Sequence, residues 1–272
     1  MNARTGTIFA IAATLVSCQT RDTVDSIDIA SVFDGSAGTW VDLTHTLSED
    51  AVFWPTVEPF RMVQVAYGMT DAGYFYAANN FSAAEHGGTH LDAPIHFAEG
   101  KDTADEIPIN RLIGPAVVVD VTGAENPDYL VSTGDLEEWE ARHGPIPNGA
   151  ILLIRTGWGD RWPDREQYLG TAITGPAAVP ELHFPGVAPE AARWIVTNRS
   201  IGAIGIDTPS LDYGQSTAFE SHRILYEANI PGFENVANLA QLPEVGSFVV
   251  ALPTKIGGGS GGPLRIVAFV PI

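Results

Sequence analysis

Three runs in this chain are apolar at nearly every position: Ala116-Val-Val-Val-Asp-Val121, Ala150-Ile-Leu-Leu-Ile-Arg155 and Ile201-Gly-Ala-Ile-Gly-Ile206. Each is short and flanked by turn formers such as Pro115, Gly149 or Pro209, so each reads as a strand rather than a helix. A strand with one wet face alternates apolar and polar residues; these do not, so both of their faces are covered. Trp40–Leu43, Phe248–Leu252 and Leu264–Val270 read as further strands. Helices are predicted over Thr133–Arg142, over Pro189–Asn198, where Pro189 suits a first turn, and over Ala218–Ala228. Strands with a few interleaved helices indicate a strand-rich mixed α/β fold. With 45% hydrophobic residues among 272, the chain can bury a large core. No repeat or internal linker divides it, so one domain from 37 to 272 is expected. The run Gly257-Gly-Gly-Ser-Gly-Gly262 has the composition of a linker, but only ten residues follow it, so it is expected to be a loop before a last strand.

Ahead of that domain lies a segment of another kind. Arg4 is followed by an apolar run from Ile8 to Val16 and then Leu15-Val-Ser-Cys18. A basic start, a short apolar stretch and small residues before a cleavage point describe a signal peptide over 1–17. The run is too short to span a bilayer. Leu-Val-Ser-Cys resembles the lipobox of bacterial lipoproteins, which implies an acylated Cys18, a polar tether over 18–36 and a cell-envelope location facing the periplasm. Cys18 is the only cysteine, so no thiolate metal site or disulfide remains. The net charge of −19, from 33 acidic and 14 basic residues, opposes nucleic acid and anionic membrane surfaces, leaving the lipid as the expected membrane contact.

The chemistry concentrates in one stretch. Three of seven histidines and one aspartate fall as His86-x-x-x-His90-x-Asp92-x-x-x-His96. Gly87, Gly88 and Pro94 argue against a helix. A loop leading into an extended segment places His90, Asp92, Pro94 and His96 on one side, and the glycines let the backbone turn so that His86 reaches the same point. Two imidazoles and a carboxylate suit Zn²⁺, Mn²⁺ or Fe²⁺ with positions left open.

The segment His86-Gly-Gly-Thr-His90-Leu-Asp92-Ala-Pro94-Ile-His96-Phe97 resembles the His-x-Gly-Thr-His-x-Asp-x-Pro-x-His-Phe signature of the cyclase-like metal hydrolases, which include kynurenine formamidases and isatin hydrolases. Asp42–Asp50 with Val52-Phe-Trp54-Pro55, Gly205–Ser210, Ser221–Leu225, Pro253–Ile256 and Gly262–Val267 extend the likeness over about 40 to 270. The resemblance implies a β-barrel-like α/β domain that forms homodimers, with His86, His90 and Asp92 holding a first Mn²⁺ or Zn²⁺ and His96 as general acid and base. In the formamidase branch Asp92 bridges to a second ion held also by His222 and Glu234; in the isatin hydrolase branch one ion is expected and His222 lines the pocket. Thr46 and Thr56 depart from the family's usual Pro and Gly, in the region that shapes substrate contact.

A dication that activates water, a histidine that shuttles a proton, and Trp54 with Phe53 able to stack on a flat ring make a coherent amide or lactam hydrolase. Two other readings stay open: a metal-dependent cyclase or dehydratase of a small hydroxy acid, and a lipid-tethered protein that uses the metal only to hold a ligand. Asp207 is expected to cap a turn before Pro209. His45 reads as structural, and His143 and His183 as loop residues.

Overall fold

The structure is a computed structural model that describes residues 29–124 and 126–272. The signal segment 1–17 and Cys18 lie outside the described residues. In chain order the elements are α1 (Ile29–Phe33), β1 (Gly38–Asp42), β2 (Arg61–Met69), β3 (Phe75–Ser82), β4 (His90–Asp92), β5 (Ile113–Asp120), β6 (Leu130–Val131), α2 (Thr133–His143), β7 (Ile151–Arg155), α3 (Arg165–Leu169), β8 (Gly186–Val187), α4 (Pro189–Asn198), β9 (Ala203–Ile206), α5 (Glu220–Glu227), β10 (Gly232–Glu234), β11 (Phe248–Pro253) and β12 (Gly261–Pro271).

Seven strands close a barrel in the order β12-β11-β5-β7-β9-β10-β4, with β4 pairing back to β12 and β1 added outside the ring on β12. β5, β7, β9 and β10 run parallel; the remaining pairings within the ring are antiparallel. Alternation along the parallel strands explains the unbroken apolar runs. Val117, Val119, Leu152, Ile154, Ile204 and Ile206 face outward into a layer with Trp139 of α2, Ile195 of α4 and Leu225 of α5. Ala116, Val118, Ile151, Leu153 and Ala203 fill the barrel with Leu91, Phe233 and Ile266. Both faces are dry, as expected for parallel strands under helices.

The expected helices are present, the third beginning at Glu220 behind Phe219, whose φ of 47° breaks the helical run. His143 closes α2 instead of sitting in a loop; its Nε2 meets Glu244 Oε2 at 2.6 Å. Two features differ from the sequence reading. The end of the expected tether is ordered against the domain: the Trp40 indole donates to the Val32 carbonyl (3.1 Å), and Phe33 stacks on Trp40. Between Pro55 and His86, where no element was expected, β2 and β3 form a hairpin that pairs with no barrel strand. It exposes Val63, Val65, Tyr67, Met69, Phe75 and Tyr76. Among the described residues no helix is long and apolar enough to cross a membrane.

Candidate metal centre

β4 is the strand that closes the barrel, and it carries the centre. His90 and Asp92 project to one side of it while Leu91, between them, points into the barrel core. Antiparallel pairing with β10 sets Glu234 opposite His90. His86 arrives from the preceding turn, where Gly88 has φ +60°. The expected extended run stops at Asp92. Pro94–His96 forms a 3-10 turn, which still delivers His96, because its ring stacks on His86 with centroids 3.8 Å apart.

His86, His90 and Asp92 each offer one ligand atom, all within 4.8 Å of one another; Asp92, His222 and Glu234 do the same. The first set meets around one carboxylate oxygen. His86 Nδ1 lies 2.7 Å from Asp92 Oδ1 and His90 Nε2 lies 3.1 Å from it. His90 Nδ1 donates to the Gly88 carbonyl (2.9 Å), so Nε2 is its lone-pair side. That atom is buried with no hydrogen-bond partner. A buried lone pair aimed at a carboxylate oxygen is unfavourable unless a cation lies between them. The donor set therefore fits a divalent ion held by nitrogen and oxygen.

The second set is engaged with its own partners. His222 on α5 has Nδ1 2.5 Å from Asp212 Oδ2 and Nε2 3.0 Å from Glu234 Oε1. Glu234 Oε1 also accepts from the Leu211 amide (2.8 Å), and Asp92 Oδ2 accepts from the Tyr226 hydroxyl (2.9 Å).

The electrostatics follow from packing three imidazoles and two carboxylates in a dry site. Burial opposes the charged form of Asp92, but the imidazoles of His86, His222 and His90 around it hold its pKa well below the usual range. Burial and the charge of Asp92 push Glu234 up. Burial pulls His222 down, yet Asp212, Asp92 and Glu234 outweigh it and hold it well above its ordinary value. Burial lowers His96 to about 4. An ordinary histidine titrates near 6.5, close to operating pH; burial moves this one, and the ring is neutral at pH 7.

The cluster floors a cavity of about 240 Å³ whose walls include Val52, Phe53, Trp54, Phe97 and Phe219. Phe53 and Trp54 line this cavity, and both also pack elsewhere: Phe53 with Phe60, and Trp54 edge-on to Phe184. The other histidines stay away from it. His45 stacks on Trp162, with ring centroids 4.2 Å apart, and His183 meets Asp128. Asp207 is structural, though not through its own turn: its carboxylate accepts from the Thr156 and Gly157 amides and so ties β9 to the end of β7. Tyr226, Asp212, Ser260 and Glu85 were not anticipated as neighbours of the centre. The one sequence signal for Tyr226 was its position four residues after His222, on the same helix face.

The comparisons agree with this geometry. Residues 41–213 match the sequence profile of the cyclase family. An isatin hydrolase of Roseibium aggregatum is 36% identical over 209 residues, covering 73% of this chain and 77% of that protein. A kynurenine formamidase of Bacillus cereus is 28% identical over 232 residues, covering 84% and 96%. Isatin hydrolase A from Ralstonia solanacearum superposes with a TM-score of 0.80 at 36% identity, covering 89% of this chain and 95% of its own. An isatin hydrolase bound to the product analogue thioisatinate superposes with a TM-score of 0.78 at 30% identity, covering 89% and 96%. On its barrel, its signature segment and these relatives, the chain belongs to the cyclase family.

Proposed function

We propose that the chain is a metal-dependent hydrolase of a non-peptide C–N bond in a small aromatic amide or lactam of the isatin type. The observation that carries the reading is the convergence of His86 Nδ1, His90 Nε2 and Asp92 Oδ1 at the floor of an aromatic-walled cavity, with His96 beside them. Those three atoms would hold one Mn²⁺ or Zn²⁺. When bound, the cation supplies an electrophile for the carbonyl oxygen and acidifies water.

The protein's own groups do the rest. Trp54 and Phe53 bind a flat ring and exclude water. His96 is neutral at pH 7 and free to take the proton of the attacking water. Water oxygen bonds to the carbonyl carbon, the C–N bond breaks, and His96 gives the proton to the departing nitrogen, leaving a carboxylic acid and an amine. A low pKa makes protonated His96 a ready donor for that last transfer. One ion per chain is favoured because Tyr226 occupies Asp92 Oδ2 and His222 pairs with Glu234. The second triad of Asp92, His222 and Glu234 supports an alternative, a two-ion arylformamidase acting on N-formylkynurenine.

The test is turnover of isatin and of N-formylkynurenine by purified protein, first stripped by chelation and then supplied with Mn²⁺ or Zn²⁺. Isatin turnover that returns with one ion per chain supports the reading. N-formylkynurenine turnover with two ions favours the alternative, and no turnover of either refutes both.

The protein is further proposed to work as a homodimer. The exposed hairpin supports this: Arg61 is the only charged residue in its two strands, and a two-stranded ribbon is marginal unless something covers it. Tyr67→Asp with Phe75→Asp should convert a dimer to a monomer in sedimentation; an unchanged mass refutes it. The Leu-Val-Ser-Cys18 sequence supports a lipid-tethered envelope protein. Palmitate labelling that is lost in Cys18→Ala supports that location, and equal labelling refutes it.

A further inference from the structure

The glycine-rich run 257–262 looks like a linker in the sequence, but it lies against the metal centre. Its backbone is pinned at two points: the Ala104 amide donates to the Gly259 carbonyl (2.9 Å) and the Ala93 amide to the Ser260 carbonyl (2.9 Å). β12 then begins at Gly261, which pairs with Asp92 on β4. A Cβ at Gly261 would come within 2.6 Å of His86 Cε1 and 2.5 Å of the Leu91 carbonyl oxygen, and one at Gly259 within 2.8 Å of Glu85 Oε1. These glycines permit a close approach of the loop to the His86 ring.

What the loop brings there is a hydroxyl. His86 Nε2 lies 2.9 Å from Ser260 Oγ, and Ser260 Oγ lies 2.6 Å from Glu85 Oε2, which also accepts from the Ser260 amide (3.1 Å). For a neutral His86 ring, the form that can bind a cation, the proton count along this line has one solution. Glu85 Oε2 accepts from both the amide and the hydroxyl of Ser260, so the hydroxyl spends its single proton on Glu85. Ser260 Oγ can then only accept from His86, so the His86 proton sits on Nε2. Nδ1 is left as the lone-pair nitrogen, and it is the atom that faces Asp92 Oδ1 at 2.7 Å.

We propose that Ser260 and Glu85 are positioning residues for the metal centre: a carboxylate–hydroxyl–imidazole relay that fixes the tautomer and ring orientation of His86 and aims Nδ1 at a divalent cation. This rests on the metal-centre reading above. It assigns a role to the glycine-rich run, which presents Ser260 to Nε2, the His86 ring nitrogen that would not face the cation. The other two histidines of the ligand sets have outer partners of different kinds, the Gly88 carbonyl for His90 and the Asp212 carboxylate for His222. Outer partners of this type commonly change metal affinity by about 10- to 100-fold.

The probe is Co²⁺ alone, titrated into metal-free protein and followed by its visible spectrum and by competition with a chelator, so no substrate is needed. Ser260→Ala should weaken Co²⁺ by about tenfold or more and shift the spectrum, with Ser260→Thr restoring affinity because it restores the hydroxyl. Gly257→Ala, on the same loop with nothing within 4 Å of the added Cβ, should bind as the parent does. Metal-free melting temperatures should agree across all four proteins, which separates positioning from folding. Ser260→Ala binding within about twofold of the parent, against the 10- to 100-fold effect of outer partners, overturns the relay alone. Equal weakening by Ser260→Ala and Ser260→Thr also overturns it, because the loop's shape and not the hydroxyl would then matter. A parent protein that takes up no Co²⁺ overturns the metal centre itself and the relay with it.

Discussion

Removing one oxygen atom tests the electrostatic account of the centre. Tyr226 is fully buried on α5, and its hydroxyl donates to Asp92 Oδ2 at 2.9 Å; the next donor toward that oxygen is His222 Nε2 at 3.5 Å. Tyr226→Phe keeps the ring against His222 and Phe97 and deletes only the donor. A hydrogen bond to an ionised acceptor contributes about 1.5–3 kcal/mol, and Asp92 is buried. At about 2–4 °C per kcal/mol for a domain of this size, a loss of about 2 kcal/mol lowers the melting temperature by about 4–8 °C. The measurement is calorimetric melting of parent and variant in excess chelator, repeated with saturating Mn²⁺. With the cation present the carboxylate charge has a second partner, so the gap should narrow. A variant melting within about 1 °C of the parent in chelator, against the 4–8 °C expected, or a gap that widens with metal, would refute the reasoning.

Three further outcomes are expected. His96→Ala should lower kcat by about 10²–10⁴-fold while the metal content per chain is unchanged, measured by steady-state kinetics and elemental analysis. Trp54→Ala should raise KM by about tenfold, from the loss of about 1.4 kcal/mol of ring contact, with kcat nearly preserved. The third concerns pH and lies away from the centre. Burial holds His45 down to about 4 from an ordinary 6.5, so the unfolded chain binds a proton there before the folded one does. Stability is full above pH 6.5 and falls toward pH 4 by about 3 kcal/mol, which is 2.5 units at 1.36 kcal/mol each. His45→Phe keeps the stack on Trp162 and removes the titration, so denaturant unfolding at pH 7 and pH 4 should show the variant losing correspondingly less; parallel losses would exclude His45 as the cause.

Much of the barrel was legible because burial on both faces leaves a one-dimensional trace. The runs at 116–121, 150–155 and 201–206 have no polar face, and only a strand between two apolar layers tolerates that. The hairpin was missed although its alternation of Val63, Val65, Tyr67 and Met69 is ordinary strand patterning. Such alternation marks a core strand where a second layer covers its apolar face, and among the described residues nothing covers these side chains.

The amino-acid order alone brought His86, His90 and Asp92 to one point. Seven residues holding a turn and a three-residue strand leave their side chains few other places to go, and Gly88 makes the turn permissible. Glu234, Tyr226, Ser260 and the aromatic wall are decisions of the tertiary structure. Ser260 lies 174 residues from His86, and the two meet only because β4 closes the barrel between β10 and β12. The protonation state of His96 belongs to the same class. Its ordinary pKa comes with the residue type, but burial beneath packed neighbours moves it to about 4, and no local pattern encodes how much water the completed fold excludes.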